Sequence, residues 1–240
     1  MDTDARPHVV WDWNGTLLDD AALIADAMNA AYRTAGLAAV SHDRYRAAFS
    51  LSATELIQRT HGVVPGQDTM KRMGAAYHEH YRSRRCALAA DAREALALAE
   101  ERGATQSLLS LHPEDALVKA LAEHGLAGRF ALVTGRTGDA AGGKHRRLLD
   151  HMGLLAQAGV TAGRIVLVGD TGDDGDAARR AGVRAVLHTG GVQDRTALAR
   201  TGWPVVDSLL EAVRMATTDV SSRTRTPPPI STSGAQTRTV

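Results

Sequence analysis

Apolar residues fall in short unbroken runs along the chain. The clearest are His8–Asp12, Thr105–Ser110, Phe130–Thr134 and Ile165–Asp170. A fifth run covers Arg184–Leu187, and Pro204–Val206 is short enough for an edge strand. Apolar runs without alternation are expected of strands buried on both faces, as in a parallel sheet covered by helices on either side. Helical stretches separate them: Asp91–Arg102, Pro113–His124, Lys144–Ala156, Asp174–Ala181 and Asp194–Thr201. This alternation predicts an α/β fold built on a Rossmann-like doubly wound parallel sheet.

The segment between the first two strands breaks the alternation. Residues 20–88 hold no convincing strand and read as four helices, Asp20–Ala35, Ser41–Phe49, Ala53–His61 and Asp68–Arg84. Asp19 or Asp20 can cap the first and Gly36 can stop it. Ser52-Ala53-Thr54-Glu55 has the spacing of a capping box. A parallel crossover needs only one helix, so four predict an inserted α-helical cap domain over the end of the first strand. The expected organisation is a core of 1–19 and 89–216, a cap of 20–88 and a disordered tail of 217–240. The tail is rich in Ser, Thr, Arg and Pro and has too few apolar residues to bury a core.

Composition narrows the function by exclusion. A net charge of +1 gives no electrostatic reason for a nucleic-acid or membrane partner. No apolar run approaches the roughly 18 residues of a membrane span. The start MDTDARPHVV lacks the apolar core of a secretory signal. Cys86 is the single cysteine, so no internal disulfide can form. The expected setting is the cytoplasm.

In a doubly wound sheet, ligands bind beyond the carboxyl ends of the strands. Asp12 ends the first strand, Ser110 the second and Asp170 the fourth, and the loop after the third leads to Lys144. Gly169-Asp170-Thr171-Gly172-Asp173-Asp174-Gly175-Asp176 carries four carboxylates that repel one another unless a cation lies among them, and oxygen ligands suit Mg²⁺ or Ca²⁺. An EF-hand is excluded, because Gly172 breaks its pattern and Ala181 stands where its final Glu belongs. A helix N-cap explains Asp174 or Asp176 but not Asp170. Only Lys71, Lys119 and Lys144 are lysines, against 25 arginines, which gives the placement of Lys144 weight. An ammonium can serve both Asp12 and a substrate phosphate.

Asp12-Trp13-Asn14-Gly15-Thr16, Ser110, Lys144 and Gly169-Asp170-Thr171…Asp174 resemble, in this order, the four motifs of the haloacid dehalogenase-like (HAD) phosphohydrolases. The helical insert is similar to that family's first-type cap, as in phosphoglycolate phosphatase-like members. The resemblance implies an Mg²⁺-dependent hydrolase of a small phosphomonoester. Asp12 would be the nucleophile and form an aspartyl-phosphate. Asp12, the main-chain carbonyl of Asn14, Asp170 and Asp174 would hold Mg²⁺, with Asp173 the alternative to Asp174. Thr16, Ser110 and Lys144 would bind the substrate, Ser110 and Lys144 by holding the phosphate oxygens, and Thr16 would also support the turn. The implied partner is a small phosphorylated metabolite.

Asn14 departs from the pattern. The family normally has Asp there, which protonates the leaving oxygen and then activates water; an amide does neither. The consequences left open are an active phosphatase with another acid, a phosphotransferase, a catalytically weak phosphate-binding or regulatory module, and an engineered Asp-to-Asn trap. Asp-Trp-x-Gly-Thr also resembles phosphonoacetaldehyde hydrolase. The only cap lysine is Lys71, placed too late for that enzyme's Schiff base, so C–P cleavage is disfavoured. A dehalogenase is disfavoured because Lys144 and the acidic motif suit phosphate and Mg²⁺. Lys144 precedes His145 where such phosphatases often have Pro. Arg59, His61, His78 and Arg82 are the cap residues able to meet an anionic substrate or supply a replacement acid.

Overall fold

The computed structural model describes residues 6–138 and 143–218. Six strands, β1 (His8–Trp11), β2 (Thr105–Pro113), β3 (Leu132–Arg136), β4 (Ile165–Gly169), β5 (Arg184–His188) and β6 (Val205–Val206), form one sheet. Its order is β3-β2-β1-β4-β5-β6 and all pairs are parallel. The doubly wound reading therefore holds, with β1 central and the order reversing beside it.

Side chains alternate between two cores. Val9, Trp11, Val166 and Val168 face α5 (Ala92–Glu101), α6 (Glu114–Glu123) and α10 (Leu209–Ala216). Val10, Ile165 and Leu167 face α7 (Gly143–Gln157) and α8 (Gly172–Ala181). Burial on both faces is why these strands read as continuous apolar runs. A short helix α9 (Arg195–Ala199), capped by Asp194, links β5 to β6.

Between β1 and α5 run the four expected helices, α1 (Ala21–Thr34), α2 (His42–Ala48), α3 (Ala53–His61) and α4 (Gln67–Arg82). Helix α1 lies along α4, and Ala31, Tyr32, Ile57 and Met73 make one small core between them. Ala25, Tyr45, Phe49 and Leu56 make a second, which reaches Val192 of the β5–α9 loop.

The structure corrects several expectations. Helix α10 falls where no element is expected; Leu209, Ala212, Val213 and Ala216 sit at helical spacing after the Ser208 cap, so the signal was there. β2 runs on past Ser110 to Pro113, with an irregularity against β3. β3 starts at Leu132, because Phe130 turns into the core below it. Asp20 occupies the N-cap of α1 but makes no cap bond with its side chain. Only half of the Ser52 capping box forms: Ser52 accepts from Glu55 N, whereas the Glu55 carboxylate takes Ser50 and Arg59. Of the expected tail, 219–240 lies outside the described residues.

A buried polar chain crosses the sheet. His8 Nδ1 meets Thr105 Oγ1 at 2.6 Å and His8 Nε2 meets Ser107 Oγ at 2.8 Å. His151 Nε2 reaches the same hydroxyl at 2.8 Å, and its Nδ1 meets Thr134 Oγ1 at 2.7 Å. Burial pushes His8 down to about 4. It does the same to His151, with help from His8 and Lys144. Both folded values lie below the unfolded value near 6.5, so unfolding takes up protons. Their contribution is complete above pH ~6.5 and is lost as pH falls towards 4, at roughly 1 kcal/mol per pH unit for each ring. In urea unfolding, the stability advantage of the chain over His151→Gln is expected to narrow by about 2 kcal/mol between pH 7 and pH 5. A gap independent of pH would show that the ring can be protonated without cost.

Candidate active site

Asp12 follows the last residue of β1, its amide still bonded to Val168 O at 2.9 Å. The chain then turns tightly, with Leu18 N returning to Trp13 O at 2.9 Å. Gly15 adopts φ +70°, and a Cβ there would stand 2.3 Å from Asp170 Oδ2. Both the left-handed backbone and the close approach require glycine. Gly191 is held as tightly on the other side, where a Cβ would fall 2.0 Å from the same oxygen.

Asp12, Asp170 and Asp174 are buried, and each offers a carboxylate oxygen within 4.8 Å of the others. Asp170 comes from the end of β4. It accepts from Val192 N at 2.7 Å and from the Thr16 hydroxyl at 3.3 Å. Asp174 lies in the first turn of α8, where a complete capping box with Thr171 fixes it: Thr171 N and Oγ1 donate to its Oδ2 at 3.1 and 2.6 Å. The acidic motif is thus both a helix start and part of the centre, and the two readings of Asp174 are compatible. Asp173 and Asp176 are exposed and stand outside the cluster.

Lys144, the second residue of α7, is buried and donates to Asp12 and, at 3.0 Å, to Asp174. Burial alone would lower its pKa, but the two carboxylates hold it above the ordinary value. Burial raises Asp12 to about 7, with Asp174 adding to the rise and Lys144 opposing it. Asp170 stands well above the usual carboxylate range, through burial and then Asp12 and Asp174. Three carboxylates against one ammonium leave the site short of positive charge. That shortage, with the convergent oxygens, fits a hard divalent cation.

The other expected site residues are divided. Ser110 is buried at the cavity wall, and its oxygen accepts from His112 N at 3.0 Å, leaving its proton for a ligand. Thr16 donates to Asp170 at 3.3 Å and is not among the residues lining the cavity beside the acidic centre. His78 and Arg82 line the cavity, whereas Arg59 bonds Phe49 O and Glu55, and His61 bonds Ala38 O.

Asn14 belongs to a cluster that the sequence did not reveal. Its Nδ2 donates to Asp20 Oδ2 at 2.6 Å and to the Tyr81 hydroxyl at 2.8 Å, and Tyr81 donates to the same Asp20 oxygen at 2.6 Å. Asp20 Oδ1 takes Gly15 N at 2.7 Å. Asp20 therefore braces the turn after β1 instead of capping α1 with its side chain. Burial raises its pKa, opposed by Tyr81, Asn14 and the Gly15 amide. Tyr81 comes from the end of α4, 61 residues away in sequence, and no local pattern could announce it.

Fold and site together define a Rossmann-like α/β protein with a buried acidic centre at the carboxyl edge of its sheet, able to hold a metal ion. The chain belongs to the haloacid dehalogenase-like hydrolase family, whose profile matches residues 9–188. It is 26% identical over 194 residues to the phosphoglycolate phosphatase of Agrobacterium fabrum, covering 78% of this chain and 82% of that protein. The fold is shared with a conserved haloacid dehalogenase-like protein of unknown function from Agrobacterium tumefaciens. The TM-score is 0.70 at 18% identity, over 88% of this chain and 97% of the other. A hydrolase from Pseudomonas syringae matches with a TM-score of 0.67 at 17% identity, over 87% and 97%.

Proposed function

We propose that the protein is a phosphomonoesterase that needs Mg²⁺ and works through a phosphoenzyme on Asp12. One observation carries this reading: Asp12, Lys144, Asp170 and Asp174 meet in one buried cluster that opens on a cavity. The phosphatase name of the Agrobacterium fabrum relative supports it.

Asp12 attacks the phosphorus, the ester P–O bond breaks, and the leaving alkoxide takes a proton from a solvent water, which departs as hydroxide. A second water then attacks the phosphoryl group, the acyl P–O bond breaks to free the Asp12 carboxylate, and the proton released returns to the hydroxide, so that ester and water give alcohol and phosphate. Lys144 opposes the rise that burial imposes on Asp12 and covers phosphate oxygens, and Ser110 donates to another. A divalent ion held by Asp12, Asp170, Asp174 and the Asn14 carbonyl would neutralise charge on the phosphate. Helices α1–α4 form a cap that walls the cavity and limits water. Asn14 supplies no proton, which favours a second reading, a catalytically weak phosphate-binding module. Among the described residues no helix is long and apolar enough to cross a membrane; the cytoplasmic setting is proposed on the single cysteine.

The test is phosphate release from a panel of phosphomonoesters, with Mg²⁺ and with chelator. Release that depends on Mg²⁺ supports the enzyme; no release from any ester leaves the binding module. Metal binding has its own readout. At about 100 times its dissociation constant, Mg²⁺ adds roughly 2.7 kcal/mol to stability. A raised melting temperature is expected for the chain and not for Asp170→Asn; an equal rise in both would place the ion elsewhere.

A further inference from the structure

Beside the acidic centre lies an open cavity of about 810 Å³. Sites that enclose drug-sized ligands span roughly 300–1,000 Å³, so this space far exceeds a phosphate with a two-carbon tail. The wall opposite the carboxylates is apolar. Ile24, Met28, Met70 and Tyr77, half-buried on α1 and α4, line it, over the buried Leu56 and Ile57 of α3. Leu51 joins them and is 51% exposed, so a large apolar side chain stands open to water at the same cavity. Leu111 and Pro113 continue the apolar surface on the β2 side. The arginines lining the cavity are Arg82 and Arg136, and Arg136 already bonds Leu111 O through Nε at 3.2 Å.

Apolar surface beside a charged site is favourable only when a ligand removes it from water. We propose that the substrate is a phosphate monoester of an alcohol with a bulky, mainly hydrocarbon or aromatic group. That group fills the cavity between α1–α4 and β2 while its phosphate meets Lys144 and Ser110. This rests on the phosphomonoesterase reading and names its substrate class. It also departs from the small, doubly anionic phosphoglycolate named for the relative.

Straight-chain alkyl phosphates test it, because the leaving group hardly changes along the series. Burying each methylene is expected to raise kcat/KM about fourfold, or on the order of 10²-fold from ethyl to hexyl. The matching alkylphosphonates, which cannot be hydrolysed, are titrated by calorimetry in parallel, and their affinity is expected to rise by the same factor. Gly74 lies on the cavity wall in α4, and a Cβ there meets no heavy atom within 4 Å. Gly74→Leu favours the helix and occupies cavity space, so the gain with length is expected to stop at a shorter chain.

Hydrolysis and affinity that both rise with length support the proposal. Hydrolysis with no dependence on length, or with 2-phosphoglycolate preferred, overturns it while sparing the phosphatase. Phosphonate affinity that rises with length, without turnover of any ester, keeps the apolar site and overturns the phosphatase. Neither turnover nor length-dependent affinity overturns both.

Discussion

Asp12→Asn is expected to reduce phosphate release to background, a fall of on the order of 10⁴-fold or more. Groups that act as one unit with a covalent nucleophile lose up to about 10⁶-fold when it is removed. The substitution changes one atom of a buried side chain and keeps its volume. Lys144 retains Asp174 at 3.0 Å, so its ammonium is not left alone. Melting temperature, read by circular dichroism, should therefore move little while activity disappears. The same pair of proteins tests the intermediate. After incubation with substrate, intact mass of the starting chain should show one added phosphoryl group, and Asp12→Asn should show none. Release that persists in Asp12→Asn would overturn the nucleophile assignment.

Asn14→Asp is expected to speed hydrolysis by roughly 10²-fold, the lower end of what a positioned acid/base contributes. The reason lies in its neighbours. Asn14 Nδ2 stands 2.6 Å from Asp20 Oδ2, and a carboxyl group placed there would face a buried carboxylate at contact distance. Like charges so close keep one proton between them, which raises the pKa of the pair. A carboxyl that stays protonated beside the scissile bond is what the leaving oxygen needs. The exchange also removes an amide donor to Asp20, so a stability loss of about 1–3 kcal/mol is expected. Steady-state rates on one ester, with denaturant unfolding of both proteins, separate the two effects. An Asn14→Asp protein that folds, holds Mg²⁺ and is no faster would mean that the proton comes from elsewhere.

The aligned strand-end groups were legible because each lies a fixed step beyond a buried apolar run. The sequence pattern alone puts Asp12, Ser110 and Asp170 at one sheet edge, since parallel strands deliver their carboxyl ends to the same side, although β2 continues past Ser110 to Pro113. Lys144 was legible through its rarity and the loop before it. The helical insert was legible because its length exceeds what a crossover requires.

Other features depend on contacts between segments far apart. Whether Asp173 or Asp174 joins the centre was decided by the capping geometry of α8, which turns Asp174 inward and leaves Asp173 exposed. Thr16 was expected beside the phosphate, yet the tight turn aims its hydroxyl at Asp170. Local rules offer Asp19 or Asp20 as a helix cap, but three donors from the turn after β1 and from α4 take the Asp20 carboxylate. The apolar cavity wall was hidden because its residues read simply as the inner faces of amphipathic helices.

The chain's own pattern determined the sheet class, the insert and the chemistry at the strand ends. These follow from periodicity, turn residues and chain order, which act over a few residues at a time. Tertiary structure alone decided the partners of Asn14, the orientation of each carboxylate and the size of the space beside them. Those outcomes depend on which buried donors and acceptors can satisfy one another across 60 or more residues of chain, and hydrogen-bond satisfaction is settled only when the segments are packed.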